Sequence, residues 1–140
     1  MSALIINNLN HKIKNIDILK NISIETEEDK IACILGPSGS GKTTLLKLIA
    51  GLEHIQKGEI FIKNKLVSSP NKHIKTEERD IGFLFQDFAL FPHLTVQENL
   101  KFAINNNVGA NIEINEIMKL IKLPNSLKKY PHELSGGEQQ

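Results

Sequence analysis

The sequence predicts an α/β fold with an N-terminal antiparallel β portion, a helical last third and an incomplete central sheet. Short apolar runs separated by polar turns fill most of the first 85 residues and are typical of strands. A strand, a glycine-rich loop and a helix follow one another around residue 40, and helical spacing dominates after residue 95. The 140 residues, of which 40% are hydrophobic, suffice for an ordinary domain with its own core.

The first strands are predicted at residues 4–6 and 18–24, followed by a solvated turn over the charged residues 25–30. Residues 31–35 are apolar and precede Gly36-Pro37, so we expect them to form a buried strand. Cys33 lies in this run and is the only cysteine, which leaves no partner for an internal disulfide. We expect a buried structural cysteine there rather than a reactive thiol.

A helix is predicted from near Lys42 to Gly51, and two further strands at residues 58–62 and 81–85. The apolar face of that helix would consist of Leu45, Leu46 and Ile49. Thr95 and Glu98 have the spacing of a capping box and predict the start of a second helix.

A third helix is expected over residues 113–122, ended by Pro124. Its apolar face would consist of Ile114, Ile117, Met118 and Ile121. Met118 is expected to fill the core rather than to bind a cofactor.

The charge balance gives no sign of a nucleic-acid partner, because 17 lysines and arginines face 16 acidic residues. The apolar run 31–35 is far shorter than the roughly 20 residues of a membrane-spanning helix. The N-terminus lacks the basic start, apolar stretch and cleavage site of a secretory signal. We therefore expect a cytoplasmic chain.

Residues 36–44 match the phosphate-loop pattern G-x-x-x-x-G-K-[ST], placed between a predicted strand and a predicted helix. Glycines let backbone N–H groups turn inward around phosphates, and the helix directs its positive dipole end at the same anion. Lys42 would reach the β- and γ-phosphates, Thr43 would ligate Mg²⁺, and Thr44 would bond a phosphate oxygen. The predicted binding residues are Gly36, Pro37, Ser38, Gly39, Ser40, Gly41, Lys42, Thr43 and Thr44.

A glycine-rich turn that binds no ligand is the less favoured interpretation of this pattern. The pattern alone does not distinguish among ATPases, GTPases and small-molecule kinases. The C-terminal residues Leu134-Ser-Gly-Gly-Glu-Gln139 decide among them, because they resemble the signature of ABC-type ATPases. The resemblance implies ATP and Mg²⁺ as cofactors and a head-to-tail dimer with a second ABC ATPase subunit. It also implies that the partner's ATP is contacted by Ser135, Gly136, Gly137 and Glu138.

Gln86 matches the family's Q-loop glutamine, whose carbonyl oxygen contacts Mg²⁺ or the attacking water, and it is the expected catalytic residue of this chain. The loop after it is similar to the surface that binds transmembrane permease subunits in importers of ferric iron, polyamines, sulfate, molybdate or maltose. Phe83 and Phe85 are expected to be core residues, while Phe88 and Phe91 leave core and partner contact equally open.

Two departures from the family pattern bear on function. Many relatives stack an aromatic residue on adenine, whereas residues 11–16 contain none and offer Ile13, Ile16 or His11 instead. In the family an apolar strand of the central sheet, the catalytic Glu and a His would follow Gln140. Residues 1–140 by themselves are therefore expected to be marginally stable, because that strand is missing, and nearly inactive, because those catalytic groups are missing.

The sequence thus predicts a nucleotide-binding core over residues 1–85, and a Q-loop and helical subdomain over residues 86–140. The function implied by the resemblance is the ATP-hydrolysing subunit of an ABC importer, held at the inner face of the cell membrane by its permease subunits. The alternatives are a soluble ABC ATPase without a transport role and a non-catalytic nucleotide-binding fragment.

Overall fold

The computed structural model describes residues 2–105, 114–121 and 125–140. The chain divides into two compact units, Met1–Phe83 and Leu84–Gln140. The phosphate loop lies in the first unit, and Gln86 and the signature residues lie in the second.

The first unit contains a five-stranded antiparallel sheet with the strand order β2-β1-β3-β4-β5. The strands are β1 (Ser2–Ile13), β2 (Ile16–Glu27), β3 (Lys57–Ile62), β4 (Lys65–Ser69) and β5 (Lys72–His73). Two-residue turns join β1 to β2 and β3 to β4, and both residues of each turn have positive φ. This is the turn geometry whose twist suits antiparallel hairpins, and Asn15 and Asn64 each occupy its second position.

Helix α1 (Lys42–Ala50) packs on the sheet through its buried leucines. Leu45 and Leu48 join a core whose sheet side chains come from β1 to β4. The members of this core are Ile6, Leu9, Leu19, Leu45, Leu48, Ile55, Ile60, Ile62 and Val67. Each fully buried aliphatic side chain contributes about 1.5–3 kcal/mol relative to exposure, so Leu45 and Leu48 hold α1 against the sheet.

The predicted limits of α1 are confirmed, since it begins at Lys42 and Gly51 ends it with a left-handed φ of 79°. Strand β3 also agrees with its prediction, whereas β2 continues through Glu27, where a turn was expected. The spacing placed Leu46 on the apolar face of α1, but this side chain is 45% exposed. Leu48 is fully buried and belongs to that face instead.

The prediction of a buried strand over residues 31–35 is wrong. The segment has no strand assignment, Ile31 is fully exposed, and Leu35 is 87% exposed. Cys33 is likewise exposed, contrary to expectation. A buried parallel strand needs hydrogen-bonded neighbours on both sides, and none of the described strands pairs with this segment.

Residues 81–85 form no strand either, for the same reason. Phe83 is half-buried, but Phe85 is 38% exposed, so its assignment to the core is wrong. The expectation of an incomplete central sheet agrees with the open sheet that is observed.

The second unit contains helices α2 (Val96–Asn105), α3 (Ile114–Leu120) and the short α4 (Gly136–Gln139). The capping box that begins α2 is confirmed, because Thr95 N and Oγ1 each donate to Glu98 Oε2 at 2.8 Å. Met118 is buried, as expected of a core residue. The predicted limits of the third helix at residues 113 and 122, and its stop at Pro124, lie outside the described residues.

None of the helices in the described ranges is both long and apolar enough to cross a membrane.

Candidate functional site

The loop before α1 has a backbone that only glycine adopts readily at two positions. Gly39 and Gly41 have φ values of 79° and 90°, in the left-handed region. A Cβ at Gly41 would lie 2.9 Å from Ile18 Cγ2 and 3.0 Å from Leu19 Cδ2, because β2 passes directly beside the loop. The glycines therefore allow both the turn and the close approach of the loop to the sheet.

The ammonium of Lys42 bends over this loop. Its Nζ donates to Pro37 O at 2.7 Å, to Gly36 O at 2.9 Å and to Ser40 Oγ at 3.4 Å. A positive charge thus lies against the loop, beside the N-terminus of α1.

The N-terminal end of α1 adds to that positive potential. The N–H groups in the first turn of a helix have no intrahelical acceptor and carry the positive end of the dipole. No acidic residue lies in the first turn of α1 to oppose an anion. Thr43 is exposed and Thr44 is half-buried at this end. These residues fit a phosphate chain, and the Thr43 hydroxyl is accessible to a phosphate-bound cation.

The three residues offered for contact with adenine differ in their exposure to solvent. Ile13 and Ile16 are 42% and 66% exposed at the end of the β1–β2 hairpin. His11 is 6% exposed, and its Nε2 lies 3.7 Å from Glu53 Oε2. A buried imidazole offers no face to a base, so His11 does not suit that role, whereas the two isoleucines are accessible.

In the second unit, Gln86 is exposed and begins a tight turn over residues 86–89. Phe88 and Ala89 in this turn have φ values of 60° and 49°, a conformation that costs energy in residues other than glycine. Phe88 is half-buried, and the ring of Phe91 packs edge-on against Phe102 with 4.8 Å between centroids.

Asn99, which the sequence reasoning missed, holds the loop that follows Gln86. Its Nδ2 donates to the carbonyls of Phe91, Leu94 and Thr95 at 3.0–3.2 Å, and its Oδ1 accepts from Phe91 N at 2.9 Å. An asparagine one turn after a capping threonine is the only signal in the sequence, and it does not show where the amide points.

The signature residues begin α4. Ser135 N and Oγ donate to Glu138 Oε2 at 2.8 and 2.7 Å, which forms a second capping box. The pKa of Glu138 is lowered, first by the Ser135 hydroxyl and then by its backbone N–H. Gln139 Nε2 donates to Pro131 O at 2.8 Å and to Leu134 O at 3.2 Å, and so anchors α4 to the preceding turn. His132 in that turn is exposed.

The loop after Gln86 and the signature residues both line one mainly apolar cavity of about 660 Å³. Ala89, Leu90 and Phe91 line one side, and Leu134, Ser135 and Glu138 line another. Within the described ranges there is no cluster of three or more His, Cys, Asp or Glu residues able to hold a metal ion. A Mg²⁺ ion at the nucleotide site would therefore need oxygens of the nucleotide among its ligands.

A glycine-rich loop at the N-terminus of a helix, with a lysine bent over it, defines the first unit as a phosphate-loop nucleotide-binding fold. A family model described as ABC transporter matches residues 19–140. The chain therefore belongs to the ABC transporter family.

Two relatives with a stated role are import ATP-binding proteins. The chain is 40% identical, over 98% of its length, to the Fe(3+) ions import ATP-binding protein FbpC of Haemophilus influenzae (strain 86-028NP). It is also 40% identical, over 99% of its length, to the sulfate/thiosulfate import ATP-binding protein CysA of Neisseria meningitidis serogroup A. The chain spans 40% of the length of each of these relatives.

Solved structures support the fold. A dimeric ATP-binding cassette, MJ0796, in a post-hydrolysis state bound to ADP and Pi, matches with a TM-score of 0.77 at 32% identity. The match covers 97% of this chain and 65% of that one. A nucleotide-free cassette from an ABC transporter matches with a TM-score of 0.79 at 24% identity, covering 99% of this chain and 61% of the other, and supports the fold alone.

Proposed function

We propose that the protein is an ATP-binding subunit that powers solute import by an ABC transporter. The observation that carries this proposal is the loop of residues 36–41, in which Lys42 Nζ lies over the carbonyls of Gly36 and Pro37 at the N-terminus of α1. The names of the relatives FbpC and CysA supply the import role, because both are import ATP-binding proteins.

In this proposal residues 36–44 bind the phosphates of ATP. Lys42 would neutralise the β- and γ-phosphates, and Thr44 would bond a phosphate oxygen. The Thr43 hydroxyl and the carbonyl oxygen of the Gln86 side chain are the groups of this chain that would be directed at Mg²⁺. The ion, when bound, supplies a Lewis acid that offsets charge on the phosphate oxygens. Gln86 is exposed on its turn, which is consistent with a role toward a ligand.

The signature residues Ser135, Gly136, Gly137 and Glu138 would contact ATP held by a second subunit in a head-to-tail dimer. The similarity to a dimeric cassette supports this arrangement. The capping box of Ser135 and Glu138 gives the loop one defined conformation, so that the exposed N–H groups of the glycines are presented in a fixed direction.

The loop after Gln86 would bind the transmembrane permease subunits. In this loop, Phe91 is 38% exposed and lines the mainly apolar cavity described above. Through that contact the protein would be held at the cytoplasmic face of the membrane. Hydrolysis would be performed by the whole protein, with Gln86 positioning water or Mg²⁺.

The test is equilibrium binding of MgATP to the intact protein by isothermal titration calorimetry. Lys42→Ala should abolish measurable binding, because it removes the charge over the loop, while Lys57→Ala, an exposed lysine on β3, should leave the affinity unchanged. Absence of MgATP binding to the wild-type protein at millimolar concentration would refute the proposal. Co-purification with ribosomes or DNA instead of membrane subunits would refute the transport role alone.

A further inference from the structure

One buried side chain holds the C-terminal end of α1. Arg79 is 2% exposed, and its Nη1 donates to Ile49 O at 2.8 Å and to Leu48 O at 3.1 Å. Carbonyls in the last turn of a helix lack intrahelical partners and carry the negative end of the dipole. The guanidinium therefore caps the end of α1 opposite the phosphate loop.

The same guanidinium bonds to the sheet and to the loop that follows it. Its Nη2 donates to Ser68 Oγ on β4 at 2.8 Å and lies 3.4 Å from His73 Nδ1, and its Nε donates to Ile74 O at 2.7 Å. Four of the five N–H donors of the side chain thus have an oxygen acceptor, and the fifth faces His73 Nδ1, which accepts a hydrogen bond in the tautomer protonated at Nε2. Among the described residues no carboxylate lies within ion-pair distance, so the charge is balanced by helix and loop carbonyls.

Arginine suits this position better than lysine does. Arg79 is the only arginine among 17 basic residues, so every other basic position is lysine. A lysine has three donors on one atom, whereas the planar fork of arginine reaches acceptors in separate segments at once. A Cβ at Gly51 would lie 2.5 Å from Arg79 Cζ and 2.8 Å from Nη2, so this glycine leaves the room that the guanidinium fills.

We propose that Arg79 is a positioning residue for the phosphate loop. By fixing the C-terminal end of α1 to β4 and to the loop at Ile74, it sets the position of the whole rigid helix, and with it Lys42 and Thr43 at the other end. The proposal rests on nucleotide binding at residues 36–44, as proposed above. Loss of the guanidinium would let the helix shift by a fraction of its diameter without unfolding the sheet.

The test uses Arg79→Lys in the intact protein, with Ile6→Val as the control. Ile6 is a buried residue of β1 that supplies none of the hydrogen-bond acceptors of Arg79, so its truncation lowers stability and leaves those acceptors in place. MgATP and MgADP affinities are measured by calorimetry well below the melting temperature of either variant. The ³¹P resonance of the β-phosphate of bound MgADP reports the geometry of the loop.

Arg79→Lys should raise the Kd for both nucleotides about tenfold, which corresponds to a loss of about 1.4 kcal/mol of binding free energy. It should also move the β-phosphate resonance, whereas Ile6→Val should change neither. Equal affinities and unchanged resonances in Arg79→Lys would overturn the proposal.

If Arg79→Lys does not fold, Ser68→Ala serves instead, because it removes one acceptor of the guanidinium and leaves the charge in place. A Kd for MgADP raised severalfold supports the proposal, and a wild-type Kd overturns it. Nucleotide binding that is lost in Lys42→Ala but intact in both variants would leave the proposed function standing and refute positioning by Arg79.

Discussion

Replacing Gly41 with alanine tests whether the tight packing of the phosphate loop against β2 is real. The left-handed φ of 90° costs an L-residue about 1–2 kcal/mol. The added Cβ would also approach Ile18 Cγ2 at 2.9 Å and Leu19 Cδ2 at 3.0 Å, and overpacking of this kind costs about 1–3 kcal/mol. The expected loss in the free energy of unfolding is therefore about 2–5 kcal/mol.

Two other glycines separate these contributions. Gly39 has a left-handed φ of 79° but open space around its Cβ position, so Gly39→Ala should lose only about 1–2 kcal/mol from backbone strain. Gly82 has neither a left-handed φ nor a neighbour within 4 Å, and Gly82→Ala should stay within about 0.5 kcal/mol of wild type.

The assay is urea denaturation of the intact protein followed by circular dichroism. Hydrogen exchange of β1 and β2 assigns the loss to the first unit. Because Gly41 also lies in the predicted binding loop, MgATP should stabilise Gly41→Ala less than it stabilises Gly82→Ala. If Gly41→Ala costs no more than Gly39→Ala, the close contact between loop and β2 is refuted.

Two further outcomes are expected from other parts of the molecule. The pKa of His73 is lowered by burial, then by His54 and Arg79, so the folded state binds fewer protons than the unfolded state near pH 6. The free energy of unfolding should accordingly be highest above the ordinary histidine pKa of about 6.5 and fall as the pH decreases below it. Urea midpoints measured from about pH 5 to 7.5 should depend on pH less steeply in His73→Gln than in the wild type. The same pH dependence in both proteins would contradict the assignment. Asn99→Ala should speed amide exchange at Phe91, because it removes the acceptor of that N–H, and Asn99→Asp should speed it too, because a carboxylate oxygen in place of Nδ2 would face the loop carbonyls without a proton to donate; exchange at the wild-type rate in both variants would show that the side chain does not hold the loop.

Elements that depend on neighbouring residues were predictable from the sequence. The limits of α1 follow from Gly41, Lys42 and Gly51, and the start of α2 follows from the hydroxyl of Thr95 and the carboxylate of Glu98. Each of these interactions closes within about one helical turn, so the sequence pattern contains all the groups involved. The binding roles of residues 36–44, Gln86 and 135–138 stay predictions that the experiments above would test.

Elements that depend on distant partners were not predictable. Residues 31–35 and 81–85 have the apolar character of buried strands, yet none of the described strands pairs with them, and Cys33 and Phe85 are exposed as a result. The hydrogen bonds of Arg79 were not predictable for the same reason, because its acceptor Leu48 O lies 31 positions away in the sequence.

The sequence by itself determined the family, the phosphate-loop pattern and the helix limits near it, because spacing and residue type encode local hydrogen bonds and backbone freedom. The tertiary structure alone decided which apolar runs are buried and which groups accept the hydrogen bonds of the Arg79 guanidinium. It also decided that the loop after Gln86 and the signature line the same cavity. Burial and long-range hydrogen bonds require two segments to meet in space, and no property of either segment specifies its partner.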